Sequence, residues 1–271
     1  MGERVVLVTG STDGIGRAAA RALAAAGAKV IIHGRSKAKV DAAVAALSAE
    51  LPGAHLQGVA FDMGTLAATR KGAQAVLDLA PQLHVLVNNA GIIANERSVT
   101  ADGLELTMAV DHIAPFLLTE LLLPRLEASA TSAPSRVINV ASIAHTRGKA
   151  GTDFQLESNW SPYGAYAFAK LANVMHAMEL AERHDPTKLV AYSLHPGTIG
   201  TKLLRQGFGP IQGGTVEQGA RTIVRLASAE LVDEPSGTYF SEATPTPPST
   251  VARDAAARRA LWDASVVAAK L

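Results

Sequence analysis

Two hydrophobic rhythms alternate along the chain. Short runs rich in Val and Ile, at 4–9 (RVVLVT), 29–34 (KVIIHG), 55–61 (HLQGVAF), 84–88 (HVLVN), 136–141 (RVINVA), 189–194 (LVAYSL) and 237–240 (GTYF), are mostly apolar without interruption. A strand with one wet face alternates apolar and polar side chains, so unbroken runs predict strands covered on both faces. Between them, at 15–26, 37–50, 65–80, 100–128, 160–184 and 217–229, Ala- and Leu-rich segments follow helical spacing. Such alternation predicts an α/β fold of Rossmann type: a doubly wound, mostly parallel sheet of about seven strands, helices on both faces, right-handed crossovers.

Residues 144–162, 200–216 and 242–250 keep neither rhythm, and Gly and Pro gather in the second and third. They read as loops. The final stretch, ARDAAARRALWDASVVAAKL, returns to helical spacing and predicts a C-terminal helix around 250–270 that packs on the body. With no fixed-period repeat and no low-complexity linker, 1–271 reads as one domain.

Composition narrows the classes. At 48% hydrophobic and 18% charged residues the chain can build a core and is not disordered. A net charge of +1 leaves no basic footprint for nucleic acid. Cysteine is absent, which removes disulfides and thiolate metal sites and fits a reducing compartment. None of the eight histidines falls in an H-E-x-x-H spacing, so no metal is expected. MGERVVLVTG lacks the layout of a signal peptide, and no apolar run approaches the ~18 residues of a membrane span. The expectation is a soluble, cytoplasmic protein without an integral membrane segment.

The chemistry begins at TGSTDGIG (9–16), between the first strand and the first helix. Gly10, Gly14 and Gly16 allow a tight turn and close approach of backbone to an anion. The helix start adds free N–H groups and a positive dipole end, which suits a pyrophosphate. The spacing is G-x-x-x-G-x-G rather than G-x-G-x-x-G, but the mechanics are shared. At the end of the second strand, HGRS (33–36) offers Arg35 with no acid beside it. A carboxylate there would suit ribose hydroxyls, whereas a guanidinium grips a 2′-phosphate, so NADP is favoured over NAD.

Further on, YGAYAFAK (163–170) places Tyr166 four residues before Lys170, on one helical face. An ammonium near a phenol favours the phenolate and lets tyrosine exchange protons nearer neutral pH.

TGSTDGIG, FDM (61–63), NNAG (88–91), NVAS (139–142), YAFAK (166–170) and HPGTIGT (195–201), in that order over almost the whole chain, resemble the short-chain dehydrogenase/reductase family. The long gap between Ser142 and Tyr166, the sequence AKLAN (169–173) and the ending SGTYF…ALWDAS resemble its retinol-dehydrogenase-like branch. The resemblance implies an NADP(H)-dependent oxidoreductase acting on a carbonyl or alcohol. It implies Tyr166 as acid/base, Lys170 as its partner, and Ser142 as a hydroxyl holding the substrate oxygen. For the cofactor it implies the turn Gly10, Ser11, Thr12, Gly14, Ile15 and Gly16, Asp62 with Met63 at the adenine, and Asn88, Ala90 and Gly91 near the ribose. Pro196, Gly197, Ile199 and Thr201 fall near the nicotinamide, and a homodimer or homotetramer through 100–128 and 160–184 is possible in the family, as is a monomer.

One position departs. VDHIAPF (110–116) carries Asp111 where the family has an Asn that kinks its helix and helps hold a water leading to the lysine. An ionised Asp accepts hydrogen bonds but cannot donate them. Either the swap alters the proton network, or the main chain does the work and the swap is silent. The apolar residues of 201–214, with Leu203, Leu204, Phe208 and Ile211, suggest a flap over a fairly apolar substrate, or else packing against the body. A non-catalytic NADP-binding regulatory or assembly protein remains the alternative reading.

Overall fold

The computed structural model describes residues 4–271. Eight strands form one sheet in the order β3-β2-β1-β4-β5-β6-β7-β8. They are β1 (Val5–Val8), β2 (Lys29–Gly34), β3 (Leu56–Ala60), β4 (Val85–Asn88), β5 (Ser135–Val140), β6 (Leu189–His195), β7 (Tyr239–Ser241) and β8 (Thr244–Pro245). The first seven pair in parallel, and β8 turns back antiparallel on β7, with Phe240 opposite Pro245. Chain order reverses beside β1, between β2 on one side and β4 on the other. A crevice opens at the carboxyl ends of strands at such a point.

The helices are α1 (Gly14–Ala25), α2 (Lys37–Glu50), α3 (Leu66–Leu79), α4 (Leu106–Ser129), α5 (Pro162–Arg183), α6 (Lys202–Phe208), α7 (Val216–Ser228), α8 (Thr250–Arg253) and α9 (Ala255–Ala269). Their starts are written in the sequence. The side chains of Asp13, Thr65, Ser161 and Asp254 each accept a backbone N–H in the first turn, and Thr215 with Gln218 forms a reciprocal capping box. Such caps satisfy donors that a helix start leaves open.

The unbroken apolar strands serve two cores, one per face of the sheet. Val6, Val8, Ile32 and Tyr192 belong to the core that includes Leu23 of α1, Leu47 of α2 and Ile223 of α7. Leu7, Ile31, Leu86 and Val137 belong to the other, with Val76 of α3, Phe116 of α4 and Met175 of α5. Each fully buried aliphatic side chain contributes roughly 1.5–3 kcal/mol. Strand alternation therefore sorts side chains between two buried layers, which is why no wet–dry pattern shows in the sequence.

Two expectations need correction. The sheet has an eighth strand, in a stretch expected to be loop; it is two residues long and ends on Pro245, so it carries no apolar signature. And α4, Leu106–Ser129, is long and apolar enough by length and composition to cross a membrane, contrary to the reading of its runs. Most of it is buried within the chain, between α3, α5 and the sheet, so its apolarity serves the core.

α4 is also not a uniform helix. Residues Ala109–Ile113 form a wider π turn, with the Ala114 N–H donating to the Ala109 carbonyl. Pro115 supplies the cause: it has no N–H, and its ring clashes with the carbonyl four residues earlier, that of Asp111. The C-terminal helix α9 lies on α4 and α5, the helices that the resemblance marked for subunit contact. Trp262 packs edge-on against Phe116 at 4.9 Å, and Arg258 pairs with buried Glu179 at 3.1 Å and with Glu182.

Candidate active site

A cleft of about 870 Å³ opens at the carboxyl ends of β1, β4, β5 and β6. Its size falls in the range of cofactor and ligand pockets, roughly 300–1,000 Å³. One end is the glycine turn. Gly10 takes φ +65°, and a Cβ there would lie 2.8 Å from Ala90 Cα; one on Gly16 would sit 2.4 Å from the Gly10 carbonyl. Only glycines let β1, the turn and the start of α1 approach this closely.

Beneath the turn lies His33, which is buried. The Gly10 N–H donates to its Nδ1 at 3.1 Å, so Nε2 carries the proton and donates to the Phe61 carbonyl at 3.1 Å. Burial pushes the imidazolium down to about 4, which keeps the ring neutral in this role. At the outer end of the same strand, Arg35 lines the cleft and has no hydrogen-bond or ion-pair partner among the described residues.

The other end is built by β5 and α5. Ser142 ends the run after β5 and opens a short 3-10 turn, Ile143–Arg147; its Oγ accepts from the Ala144 N–H at 3.2 Å. Tyr166 and Lys170, one helical turn apart on α5, both reach the cleft. Lys170 Nζ sits 5.3 Å from the centre of the Tyr166 ring and donates to the Val140 carbonyl at 3.4 Å. Behind the lysine, Asp111 Oδ2 is 2.9 Å from Nζ, and its Oδ1 accepts from the Ile92 N–H at 2.8 Å.

These charges act on one another. Burial pushes the Tyr166 phenol up; the Lys170 ammonium and a hydrogen bond with Ser142 pull it down, and Asp111 pushes it up again, leaving it above the ordinary value. For Lys170, burial opposes the charge, but Asp111 and Tyr166 outweigh it and hold the ammonium on. Asp111 itself is pushed up by burial against the pull of Lys170 and the Ile92 N–H. The lysine is thus charged, and its influence on the tyrosine is partly cancelled by the carboxylate behind it.

The flap closes the roof. α6 follows Thr201, and Leu203 and Phe208 pack with Ile93 against Tyr166, Ala144 and Ala167. Phe208 meets Tyr163 and Tyr166 edge-on at 5.9 and 6.0 Å. Leu203, Leu204, Phe208 and Ile211 all line the cleft, so the flap's apolar residues face both the body and the site. At its start Lys202 pairs with Asp13 at 2.5 Å, bridging the flap to the glycine turn.

Of the residues singled out from sequence, Gly10, Thr12, Gly14, Ile15, Gly16, Arg35, Asp62, Met63, Ala90, Gly91, Ser142, Tyr166, Lys170, Pro196, Gly197, Ile199 and Thr201 line this cleft. Three do not. Ser11 is buried: its N–H donates to the His33 carbonyl, and its Oγ donates to the Val8 carbonyl and accepts from the His33 N–H. Asn88 points into the core, its Nδ2 donating to Thr119 Oγ1 and Asn139 Oδ1 at 3.0 and 2.9 Å, while its neighbour Asn89 lines the cleft. Asp111 stands behind Lys170 and out of the cleft. Sequence reading missed Asn89, His33 and Asp13. Nothing local marked Asn89 over Asn88, since side chains of both parities on β4 are buried. Among the described residues no cluster of three His, Asp or Glu is placed to hold a metal.

A doubly wound sheet, a glycine turn under an open helix start, and a Ser–Tyr–Lys group across one cleft define a dinucleotide-fold protein of the oxidoreductase type. Residues 4–208 match the short chain dehydrogenase family profile. Retinol dehydrogenase 12 of Homo sapiens is 38% identical over 97% of this chain and 85% of its own length. A crystal structure of an uncharacterized protein from Mycobacterium Paratuberculosis superposes with a TM-score of 0.80 at 31% identity, covering 98% of this chain and 93% of that one. A Pseudomonas aeruginosa RhlG/NADP active-site complex superposes with a TM-score of 0.71 at 27% identity, covering 88% and 94%. The chain belongs to the short-chain dehydrogenase/reductase family, in its retinol-dehydrogenase-like branch.

Proposed function

We propose that this protein is an NADP(H)-dependent oxidoreductase that interconverts a carbonyl and an alcohol on a fairly apolar small molecule. The observation that carries the reading is the Tyr166 phenol and Ser142 hydroxyl side by side in an apolar-roofed cleft, with the Lys170 ammonium beneath. The residues present fit the cofactor. Gly10 and Gly16 leave no room for a Cβ, the α1 start presents backbone N–H groups, and Arg35, a guanidinium without a partner among the described residues, would suit a 2′-phosphate. The acid at the end of β2 that would suit NAD is missing from HGRS, and the RhlG structure is a complex with NADP.

When bound, the nicotinamide supplies or takes up the hydride. In the reducing direction Tyr166 O–H and the Ser142 hydroxyl donate to the carbonyl oxygen and stabilise the negative charge growing there. Tyr166 then delivers its proton to that oxygen, and Lys170 stabilises the phenolate left behind until a solvent proton replaces it. In the oxidising direction the phenolate takes the proton from the alcohol. Leu203, Leu204, Phe208 and Ile211 exclude water and favour an apolar substrate, as in the relative named for retinol. Cytoplasmic residence belongs to the same reading, since α4 spends its apolar surface in the core.

The test is loss of NADPH absorbance across a panel of aldehydes and ketones, beside NADH and beside Tyr166→Phe. The expected result is turnover that prefers NADPH and falls by at least about a hundredfold in the variant. Tight NADPH binding without turnover on any carbonyl would instead favour a non-catalytic NADP-binding protein.

A further inference from the structure

The Ser142 carbonyl is held twice by one residue. It accepts the backbone N–H of His145 at 3.1 Å and also the His145 ring, at 2.8 Å from Nδ1. The far ring nitrogen, Nε2, accepts the N–H of Ser249 at 3.2 Å, more than a hundred residues later in the chain. A carbonyl can only accept and a backbone N–H can only donate. The tautomer is therefore fixed: Nδ1 carries the proton and Nε2 is bare.

The ring is 1% exposed and packs on Tyr239 of β7, centroids 4.6 Å apart. Ser249 is no loose strand of tail. Its own Oγ caps α8 by accepting the Ala252 N–H, and the Tyr239 carbonyl accepts the Thr246 N–H three residues earlier. One imidazole thus ties the serine turn to the docked C-terminal segment.

We propose that His145 is a positioning residue for Ser142, fixing the serine's peptide plane, and with it the direction of Oγ toward Tyr166, through a neutral Nδ1-protonated ring. The role rests on the oxidoreductase reading above. A proton on Nε2 would face the Ser249 N–H donor to donor and break that tie. The other groups facing the ring are His195 from β6, whose buried Nδ1 has no partner among the described residues and which Glu242 approaches, and Tyr239 from β7. Burial lowers the His145 pKa, which keeps the ring neutral and the tie intact at neutral pH.

Three variants separate the two ends of the ring. In His145→Asn the amide nitrogen falls where Nδ1 was, keeping a donor for Ser142 but none for the far contact. In His145→Gln the amide oxygen falls where Nε2 was, keeping an acceptor for Ser249 but losing the donor to Ser142. His145→Phe loses both. The expected result is a kcat lowered about tenfold in His145→Gln and His145→Phe, short of the roughly hundredfold cost of deleting an oxyanion donor outright, with KM and NADPH affinity unchanged. His145→Asn, which keeps the donor to Ser142, should stay within about twofold of the wild type.

Equal kcat losses in His145→Asn and His145→Gln would overturn the proposal. Wild-type turnover in the same assay keeps the two readings apart. An active wild type with an equally active His145→Gln removes only the role of His145, whereas an inactive wild type removes the reading it rests on.

Discussion

Asp111 and Lys170 meet as an ion pair, Oδ2 to Nζ 2.9 Å, with neither side chain open to solvent. The π turn that Pro115 imposes on α4 carries the carboxylate to the lysine, and the Ile92 N–H holds its other oxygen. Removing one partner of a buried pair strands the other charge, which costs far more than the net worth of the pair. Lys170 therefore has two acidic neighbours, the Tyr166 phenol and the Asp111 carboxylate, that compete for it.

That competition has a pH signature. Burial and Asp111 push Tyr166 up and Lys170 pulls it down. Asp111→Asn keeps an acceptor for the Ile92 N–H but removes the negative charge, so the phenolate forms at lower pH. In alcohol oxidation, where the phenolate is the base, the rising limb of kcat against pH should move to lower pH in the variant. A limb that stays where it was would mean that the carboxylate is silent.

Arg35 offers a test confined to the cofactor. A charge-assisted contact to a 2′-phosphate is worth about 1.5–3 kcal/mol, or roughly 10- to 100-fold in affinity. Arg35→Ala should raise the dissociation constant for NADPH by that factor and leave NADH unchanged, as read by quenching of protein fluorescence. An equal loss for both cofactors would assign the arginine some other task.

Gly91 gives access to the ion pair from the backbone side. A Cβ there would lie 2.9 Å from Asp111 Oδ2 and 3.1 Å from Lys170 Nζ, with no slack on either buried side chain. Gly91→Ala should destabilise by about 1–3 kcal/mol in urea unfolding and depress kcat well below the melting transition. Wild-type kcat in a folded Gly91→Ala would show that the pair can shift without consequence.

Acid stability follows from two other histidines. Burial holds both His33 and His112 down at about 4. The unfolded chain takes up these protons near 6.5 and the folded one does not, so their stability is complete above 6.5 and lost as pH falls toward 4. Each group accounts for about 2 kcal/mol between neutral pH and about pH 5. Urea unfolding at the two pH values should show the loss, and His112→Phe should reduce its slope by one group's share.

The seven parallel strands were legible because both faces of the sheet are buried, which leaves unbroken Val- and Ile-rich runs. Helix starts were legible through caps such as Ser161 before Pro162. The π turn was not, since a single widened turn leaves the apolar period of α4 intact, although Pro115 was the mark of it. The Tyr166–Lys170 pair and the glycine turn could be read from spacing, because each lies within a short stretch of chain. Ser11 and Asn88 carry their side chains inward, and nothing local announces this, because both faces of the sheet are buried and an unbroken run does not mark its inward polar residues. The His145 tie joins residues far apart in sequence, and nothing local to either end announces it.

The two-residue strand β8 also decides how the sheet ends. Thr244–Pro245 covers the free margin of β7, and the chain beyond it runs on through Pro247 and Pro248. Proline has no N–H to offer a neighbouring strand, so the margin presents a broken row of donors to anything that would add to it. The same prolines that hid the strand from a reading of the sequence therefore discourage edge-to-edge pairing through that side of the sheet.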